Sequence, residues 1–253
     1  MGAVQRRREI IAYLEKNHTA YTAALCEDLQ VSAMTIRRDF DYLARQGLVT
    51  LLRGGAALNR GAAVLHSLHL RQTRQPEEKR RIAGYCAEMV QEGESVFIDC
   101  GSTAECIAAA LERKQNITVL TTSLDAAQIL SGVRDIRFIM VPGVFVPALR
   151  GFTGQLTVDF MERFRIDRMF LGANGVDTAY GLTSPDYMDA ETKRAMLSQA
   201  RQVIVAADHT KIGSTYFEII AAPSRLDLLV TDSGLEQQQA DGFREKGLPV
   251  VLV

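Results

Sequence analysis

Apolar positions along the first third of the chain recur at helical spacing. Ile10, Ile11 and Leu14 share one face of residues 5–17, with charged residues between them. His18-Thr19-Ala20 breaks the period, and residues 21–30, "YTAALCEDLQ", resume it with Leu25 and Leu29 inward. After a short turn, Ile36, Phe40 and Leu43 stand at i, i+4 and i+7 of a third helix and should face a core. Ser32 is placed as its N-cap, where its side-chain oxygen can accept from a free first-turn N–H. Met34, Arg38 and Arg45 project the opposite way, flanked by Thr35 and Arg37. The period then shortens: "LVTLLRGGAAL" reads as two short strands around Gly54-Gly55, a hairpin with Arg53 near its tip.

Residues 56–75 hold no sustained period and have several polar breaks, so they read as a connector. Pro76 suits the first turn of a helix, where a missing N–H costs nothing. Beyond it short β-rich runs ("SVFID", "ITVLTT", "IRFIMVPG", "DRMFLGANG", "QVIVAADHTK", "LDLLVTD", "LPVVLV") alternate with helical patterns. That alternation predicts an α/β domain on a mainly parallel sheet. The expected organisation is a small domain over 1–58, a linker over 59–75 and a larger domain over 76–253.

Composition narrows this only modestly. The 253 residues are 47% hydrophobic and 23% charged, an ordinary globular balance. No apolar run reaches membrane-spanning length, and the N-terminus carries charge through its apolar positions, unlike a signal peptide. The four cysteines form no C-x-x-C pair and the four histidines are scattered, so neither disulfides nor a metal site is expected and the cytoplasm is the natural compartment.

Charge says more. Residues 1–75 hold eleven Lys/Arg against six Asp/Glu, a balance of +5, whereas 76–253 hold eighteen against twenty-four, a balance of −6. One part of the chain is suited to a polyanion and the other is not. An adjacent Arg37-Arg38 pair ordinarily only solvates a helix. Here two short helices joined by a tight turn, the capped start of the second, the hairpin and the basic balance together favour double-stranded DNA. In a winged helix-turn-helix the first residues of the second helix approach base edges and the wing reaches phosphate. Ser32, Met34, Thr35, Arg37, Arg38, Arg45 and Arg53 are the expected DNA-binding residues.

In parallel sheets, ligands sit at the carboxyl ends of strands. Those ends here read Asp99-Cys100-Gly101-Ser102-Thr103, Thr121-Thr122-Ser123, Pro142-Gly143, Gly172-Ala173-Asn174-Gly175 and Asp208-His209-Thr210-Lys211. Singly they are ordinary: Gly-Ser-Thr commonly just starts a helix, Asp208 and Lys211 could pair on the surface, Cys100 could be an inert buried thiol and His209 a loop residue. Five small, polar loops on one sheet edge make a cleft. Gly101, Ser102 and Thr103 would offer N–H and hydroxyl groups at a helix's positive end, which suits a phosphate. Asp99, Thr121 and Asn174 complete the strand-end set.

"VSAMTIRRDFDYLARQGLVTLLRGGAAL" resembles the N-terminal signature of the DeoR-type bacterial transcription regulators. Phe40 stands in place of the usual Leu, and Leu52-Arg53 where Arg-His is frequent. "EEKRRIA", "FIDCGSTAE", "LTTSLDAA", "DRMFLGANGVD", "GLTSPDYMDAETKRAM" and "AADHTKIG" resemble, in order, that family's C-terminal sensor domain. Pro142-Gly143 departs from its usual Gly-Gly. The resemblance implies a Rossmann-like α/β sensor domain related in fold to ribose-5-phosphate isomerase. It implies that Gly101, Ser102 and Thr103 cradle a phosphate, that Lys79, Asp208 and Lys211 help hold the effector, and that Lys193 and Arg150 contribute. The implied function is a repressor of sugar metabolism genes, without cofactor or metal. It would bind operator DNA as a homo-oligomer, dimer or tetramer, and be released by a phosphorylated sugar. The competing reading is a phosphosugar isomerase with a DNA-binding appendage, using a base among Asp99, Asp177, Asp208 and Glu191. An ATP-dependent reading fails because no G-x-x-x-x-G-K-[ST] occurs.

Overall fold

The computed structural model describes residues 2–45, 48–58, 71 and 73–253. They belong to two compact units, one ending at Arg71 and the other beginning at Gln72. In the first unit, α1 (Ala3–Asn17), α2 (Thr22–Leu29) and α3 (Ala33–Arg45) enclose Ile10, Leu14, Leu25, Ile36, Phe40 and Leu43, all buried. α1 stops at His18 and α2 at Gln30, each in the left-handed conformation (φ 65° and 53°) with its N–H returned to the helix. The hairpin forms from β2 (Val49–Leu52) and β3 (Gly55–Leu58), with Arg53 and Gly54 in its turn. Thr19 and Ala20, expected only to break the helical pattern, and Tyr21, expected to open the second helix, instead form a third strand, β1 (Thr19–Tyr21), antiparallel to β3. Gly55 is required there: a Cβ on it would lie 2.3 Å from the Ala20 carbonyl oxygen.

Most of the connector expected over 59–75 lies outside the described residues. Within it, Arg71 and Thr73 are helical.

The second unit opens with α4 (Pro76–Met89), Pro76 lying in its first turn. Seven strands then build one parallel sheet: β4 (Ser95–Ile98), β5 (Ile117–Thr121), β6 (Ile136–Met140), β9 (Ile166–Gly172), β12 (Ala200–Ala206), β14 (Leu228–Thr231) and β15 (Val250–Leu252). Their order is β15-β14-β12-β9-β4-β5-β6, every pairing parallel. The central strands are buried on both faces, as parallel sheets require. Val96, Ile98, Phe170 and Ile204 pack with Ile82 and Cys86 of α4 and Ile107 of α5 (Ser102–Leu111) on one side. Phe97, Met169, Leu171 and Val205 pack on the other. Burial pushes the Cys86 thiol up to about 12, so it is an inert core residue.

Helices α6 (Leu124–Leu130) and α8 (Tyr187–Met196) are capped by Ser123 and Asp186, which accept from the N–H groups of Ala126 and Asp189. Two antiparallel additions are not legible as periodic strands. One is the hairpin β7 (Val144–Val146) with β8 (Gly151–Thr153), followed by α7 (Gln155–Met161). The other is a sheet of β10 (Gly175–Asp177), β11 (Gly181–Ser184) and β13 (Glu218–Ala221). Helix α9 (Gln237–Glu245) precedes the last strand. Among the described residues no helix is long and apolar enough to cross a membrane.

Candidate functional site

The start of α3 is built as the sequence indicates. Ser32 Oγ accepts from the Thr35 N–H at 3.3 Å and lies 2.9 Å from Thr35 Oγ1, so the two hydroxyls close the cap between them. Met34, Arg37, Arg38 and Arg45 are exposed, Thr35 is half-buried, and Arg53 stands exposed in the wing turn. The unforeseen residue is Asp39. It turns inward, 1% exposed, and accepts from Arg6 Nε at 2.5 Å and Arg7 Nε at 2.7 Å, while the Arg7 guanidinium lies 3.7 Å from the Tyr42 ring centroid. Arg6 and Arg7 are therefore committed to holding α1 against α3. The basic side chains presented around the helix start and wing are Arg37, Arg38, Arg45 and Arg53. The phase of Asp39, three residues after Ile36 and four before Leu43, was the available signal.

In the larger unit, the chain runs outward from β4 through β5 and β6, then returns to the other side of β4 with β9. The crevice at such a reversal is where doubly wound sheets bind ligands. Asp99, at the end of β4, spans it: Oδ2 accepts from the Gly172 N–H of β9 at 3.0 Å. The same oxygen meets Lys193 Nζ at 2.8 Å, and that ammonium meets Asp189 Oδ1 at 3.0 Å. Asp189 Oδ2 accepts from Ser184 Oγ at 3.0 Å, and Asn174 Nδ2 approaches Ser184 Oγ at 3.4 Å. Asp99, Asn174 and Lys193, far apart in sequence, thus belong to one network. Asp189 and Ser184 were missed, although Asp189 and Lys193 have the i, i+4 spacing of a helical ion pair.

All three charged members are buried. Burial drives the Asp99 carboxyl above its ordinary range; Lys193 opposes this and the nearby Asp189 charge adds to it. Burial works against the Lys193 charge, but Asp189 and Asp99 outweigh it and hold its proton well above the usual lysine value. The directions agree: two carboxylates around one ammonium favour an extra proton in the cluster. Asp99, Cys100 and Asp189 offer three ligand atoms within 4.8 Å of one another, but the Lys193 ammonium already bridges the two carboxylates.

Gly101 follows with φ +122°, a conformation suited to glycine, and is the N-cap of α5. Ser102 and Thr103 form its first turn and are largely buried. The loop therefore lies two to four residues beyond the Asp99 bridge, at the positive end of a ten-residue helix.

The other expected effector residues make the following contacts within the chain. Lys193, expected to contribute to effector binding, is the buried centre of the acidic pair. Thr121 is fully buried; its hydroxyl donates to the Ile98 carbonyl at 2.7 Å and accepts from the Ser123 N–H at 3.0 Å, tying β4 to β5 instead of facing a ligand. Arg150 forks onto Asp125 at 2.6–2.8 Å. Asp208 is buried and accepts from the Thr210 N–H at 3.1 Å and its hydroxyl, capping the turn His209–Lys211 that carries half-buried Lys211. Lys79 is buried and donates to the Arg74 carbonyl. His209 is paired with Asp232 at 2.7 Å. Burial works to raise the Asp232 carboxyl, but N–H donors from His209 and Gly234 hold it below its ordinary value. Pro142-Gly143 is tightly seated: Thr157 Oγ1 donates to the Pro142 carbonyl at 2.8 Å, and a Cβ on Gly143 would lie 2.2 Å from that hydroxyl.

A winged helix-turn-helix on the same chain as a doubly wound α/β unit defines a DNA-binding regulator with an appended domain. Residues 6–61 match the DeoR-like helix-turn-helix domain and residues 74–233 the DeoR C terminal sensor domain. The chain belongs to the DeoR family of transcription regulators. It is 36% identical over 233 residues to the glycerol-3-phosphate regulon repressor of Escherichia coli (strain K12), covering 92% of each. It is 30% identical over 248 residues to the transcriptional repressor GlcR of Bacillus subtilis (strain 168), covering 98% of this chain and 95% of GlcR. Among solved structures, ribose 5-phosphate isomerase A of Neisseria gonorrhoeae is 22% identical with a TM-score of 0.41 over 56% of each chain. A likeness that slight transfers no activity.

Proposed function

We propose that this protein is a cytoplasmic repressor that binds operator DNA as a homo-oligomer and lets go when a phosphorylated sugar enters the cleft of its C-terminal domain. Residues 1–58 read the DNA, 76–253 sense the effector, and 59–75 connect them. The observation that carries the reading is the Gly101-Ser102-Thr103 helix start beside the Asp99 bridge: donors for a phosphate next to acceptors for sugar hydroxyls. Its relatives' names, a glycerol-3-phosphate regulon repressor among them, agree with a small phosphorylated polyol. Release requires the effector to bind the DNA-competent and DNA-incompetent arrangements with different affinity.

The protein acts without turnover, cofactor or metal. Supporting this, each carboxylate considered as a catalytic base is engaged separately. Asp99 holds Lys193, Asp177 caps the turn at Ala179, Asp208 holds Thr210, and exposed Glu191 pairs with Arg194.

The test is an operator-binding titration with pentose, hexose and triose phosphates, wild type beside Lys211→Ala. One of these should release the wild type. The variant, losing a charge-assisted contact of roughly 1.5–3 kcal/mol, should need about tenfold more effector or beyond. Its operator affinity without effector should be unchanged. Equal release places Lys211 outside the site, and operator binding indifferent to every sugar phosphate defeats the reading.

A further inference from the structure

We infer that Met34 reads the 5-methyl group of a thymine in the major groove, close to the base that Arg38 contacts. This depends on the operator-binding part of the repressor reading and on nothing in the C-terminal domain. The first turn of the second helix is the part of a helix-turn-helix that meets base edges, and in α3 few side chains are placed to do so. Ser32 Oγ accepts from the Thr35 N–H at 3.3 Å and lies 2.9 Å from Thr35 Oγ1, so those two hydroxyls serve each other. Ile36 is fully buried in the core, and exposed Ala33 ends at its Cβ. Met34, 58% exposed, is the long side chain left in that turn. A lone apolar side chain in water is ordinary. This one stands where a base is read, on a helix that turns Ile36, Phe40 and Leu43 inward.

What Met34 can recognise follows from what it lacks. A thioether donates no hydrogen bond and accepts only weakly. Laid over the acceptors of guanine or the amino groups of cytosine and adenine, it would strip water from polar atoms and return no bond. Thymine alone presents a methyl group in the major groove. Over that methyl, two apolar surfaces leave water together, and the unbranched methionine chain can adapt its rotamers to reach it. The neighbour on the same face is Arg38, four residues on and exposed. The two are about 6 Å apart along the helix axis, under two base-pair steps of ~3.4 Å. Arg38 has the forked donors that suit guanine, so the pair would read a thymine beside or nearly beside a guanine. Asp41 and Arg45, also exposed, follow further from the helix start.

The experiment uses the full chain without sugar. Repeated selection from random duplexes gives the preferred sequence. Each thymine in it is then replaced singly by deoxyuridine, which removes the methyl group and keeps the base pairing. At one thymine of each half-site, wild-type affinity should fall about fourfold, the ~0.8 kcal/mol of one buried methyl-sized group at ~1.4 kcal/mol per tenfold. Met34→Ala should bind the thymine duplex more weakly by at least that factor and no longer tell thymine from deoxyuridine there. Met34→Gln, whose amide can pair with adenine, should shift selection at that position toward adenine. Met34 is exposed, so both variants should melt as the wild type does by circular dichroism, and the deoxyuridine scan of the wild type needs no variant. A wild type indifferent to every thymine methyl, or a methyl effect that survives in Met34→Ala or Met34→Gln, overturns the assignment. Selection that enriches no sequence defeats operator reading itself and the assignment with it, so the two failures are told apart.

Discussion

Lys193→Met removes the ammonium from between Asp99 and Asp189 while keeping most of the side chain's bulk. In the native protein that ammonium lies 2.8 and 3.0 Å from two carboxylates that are each 2–3% exposed. Breaking a buried pair by deleting one partner costs roughly 3–5 kcal/mol. The cluster can limit the loss by taking up a proton. Protonating one carboxylate at pH 7, about three pH units above its ordinary value, costs about 4 kcal/mol. The two figures agree, so a loss of about 3–5 kcal/mol at pH 7 is expected. The pH dependence has a definite sign. In the variant the folded carboxyl value is raised above the unfolded one, so the penalty is absent below the unfolded value and grows as pH rises through the window between them. Lowering the pH from 7 to 5 should therefore restore stability by about 1.4 kcal/mol per unit. Wild-type Asp99 is shifted in the same direction, with Lys193 opposing the shift, so the wild type should show the same trend more weakly. Hydrogen exchange over residues 187–196 of the full chain reads the local opening free energy without assuming that both domains unfold together. The double variant Lys193→Met/Asp99→Asn should recover part of the loss. Single-variant exchange within ~0.5 kcal/mol of wild type, flat with pH, would show that Lys193 is not buried between those acids.

Three further outcomes concern the DNA-binding unit. Arg38→Ala should cost roughly 1–3 kcal/mol of operator binding if it is bidentate to a guanine, with folding unaffected; unchanged affinity at fixed salt removes Arg38 from the base-reading set. Arg53→Ala should weaken operator and random DNA alike and flatten the salt dependence, whereas loss at one operator base pair would mean that the wing reads sequence. Asp39→Asn leaves Arg6 and Arg7 without their carboxylate, so calorimetry should show the N-terminal unit melting several degrees lower, about 2–3 kcal/mol less stable after allowing for Arg7's partial exposure; an unaltered melt would deny Asp39 its role between α1 and α3.

What the sequence revealed depended on how many residues carried each signal. The burial of Ile36, Phe40 and Leu43 and the seven parallel strands were legible because each pattern repeats over several positions. β1, β7 and β10 are three residues long, too short for a period of two to register, and exist because a distant partner supplies hydrogen bonds. The effector set divides similarly. The Gly-Ser-Thr loop is local chemistry and could be read directly. That Thr121 spends its hydroxyl on Ile98, or Arg150 its guanidinium on Asp125, depends on contacts 23 and 25 residues away. Asp39 was legible in phase, but its neighbours Arg37 and Arg38 drew the reading outward.

Strand β3 is held on both sides, by β2 and by β1, and Gly55 brings it against the Ala20 backbone too closely for any side chain. β1 sits directly between α1 and α2, and β2 begins four residues after α3 ends. Arg38 and Arg53 are therefore mounted on one stiff frame, at a separation the protein has little means of adjusting. When an operator's natural groove width or curvature does not match that separation, the duplex has to bend to fit. Base pairs that no side chain touches would then count through their stiffness, and two operators with identical contacted bases would bind unequally.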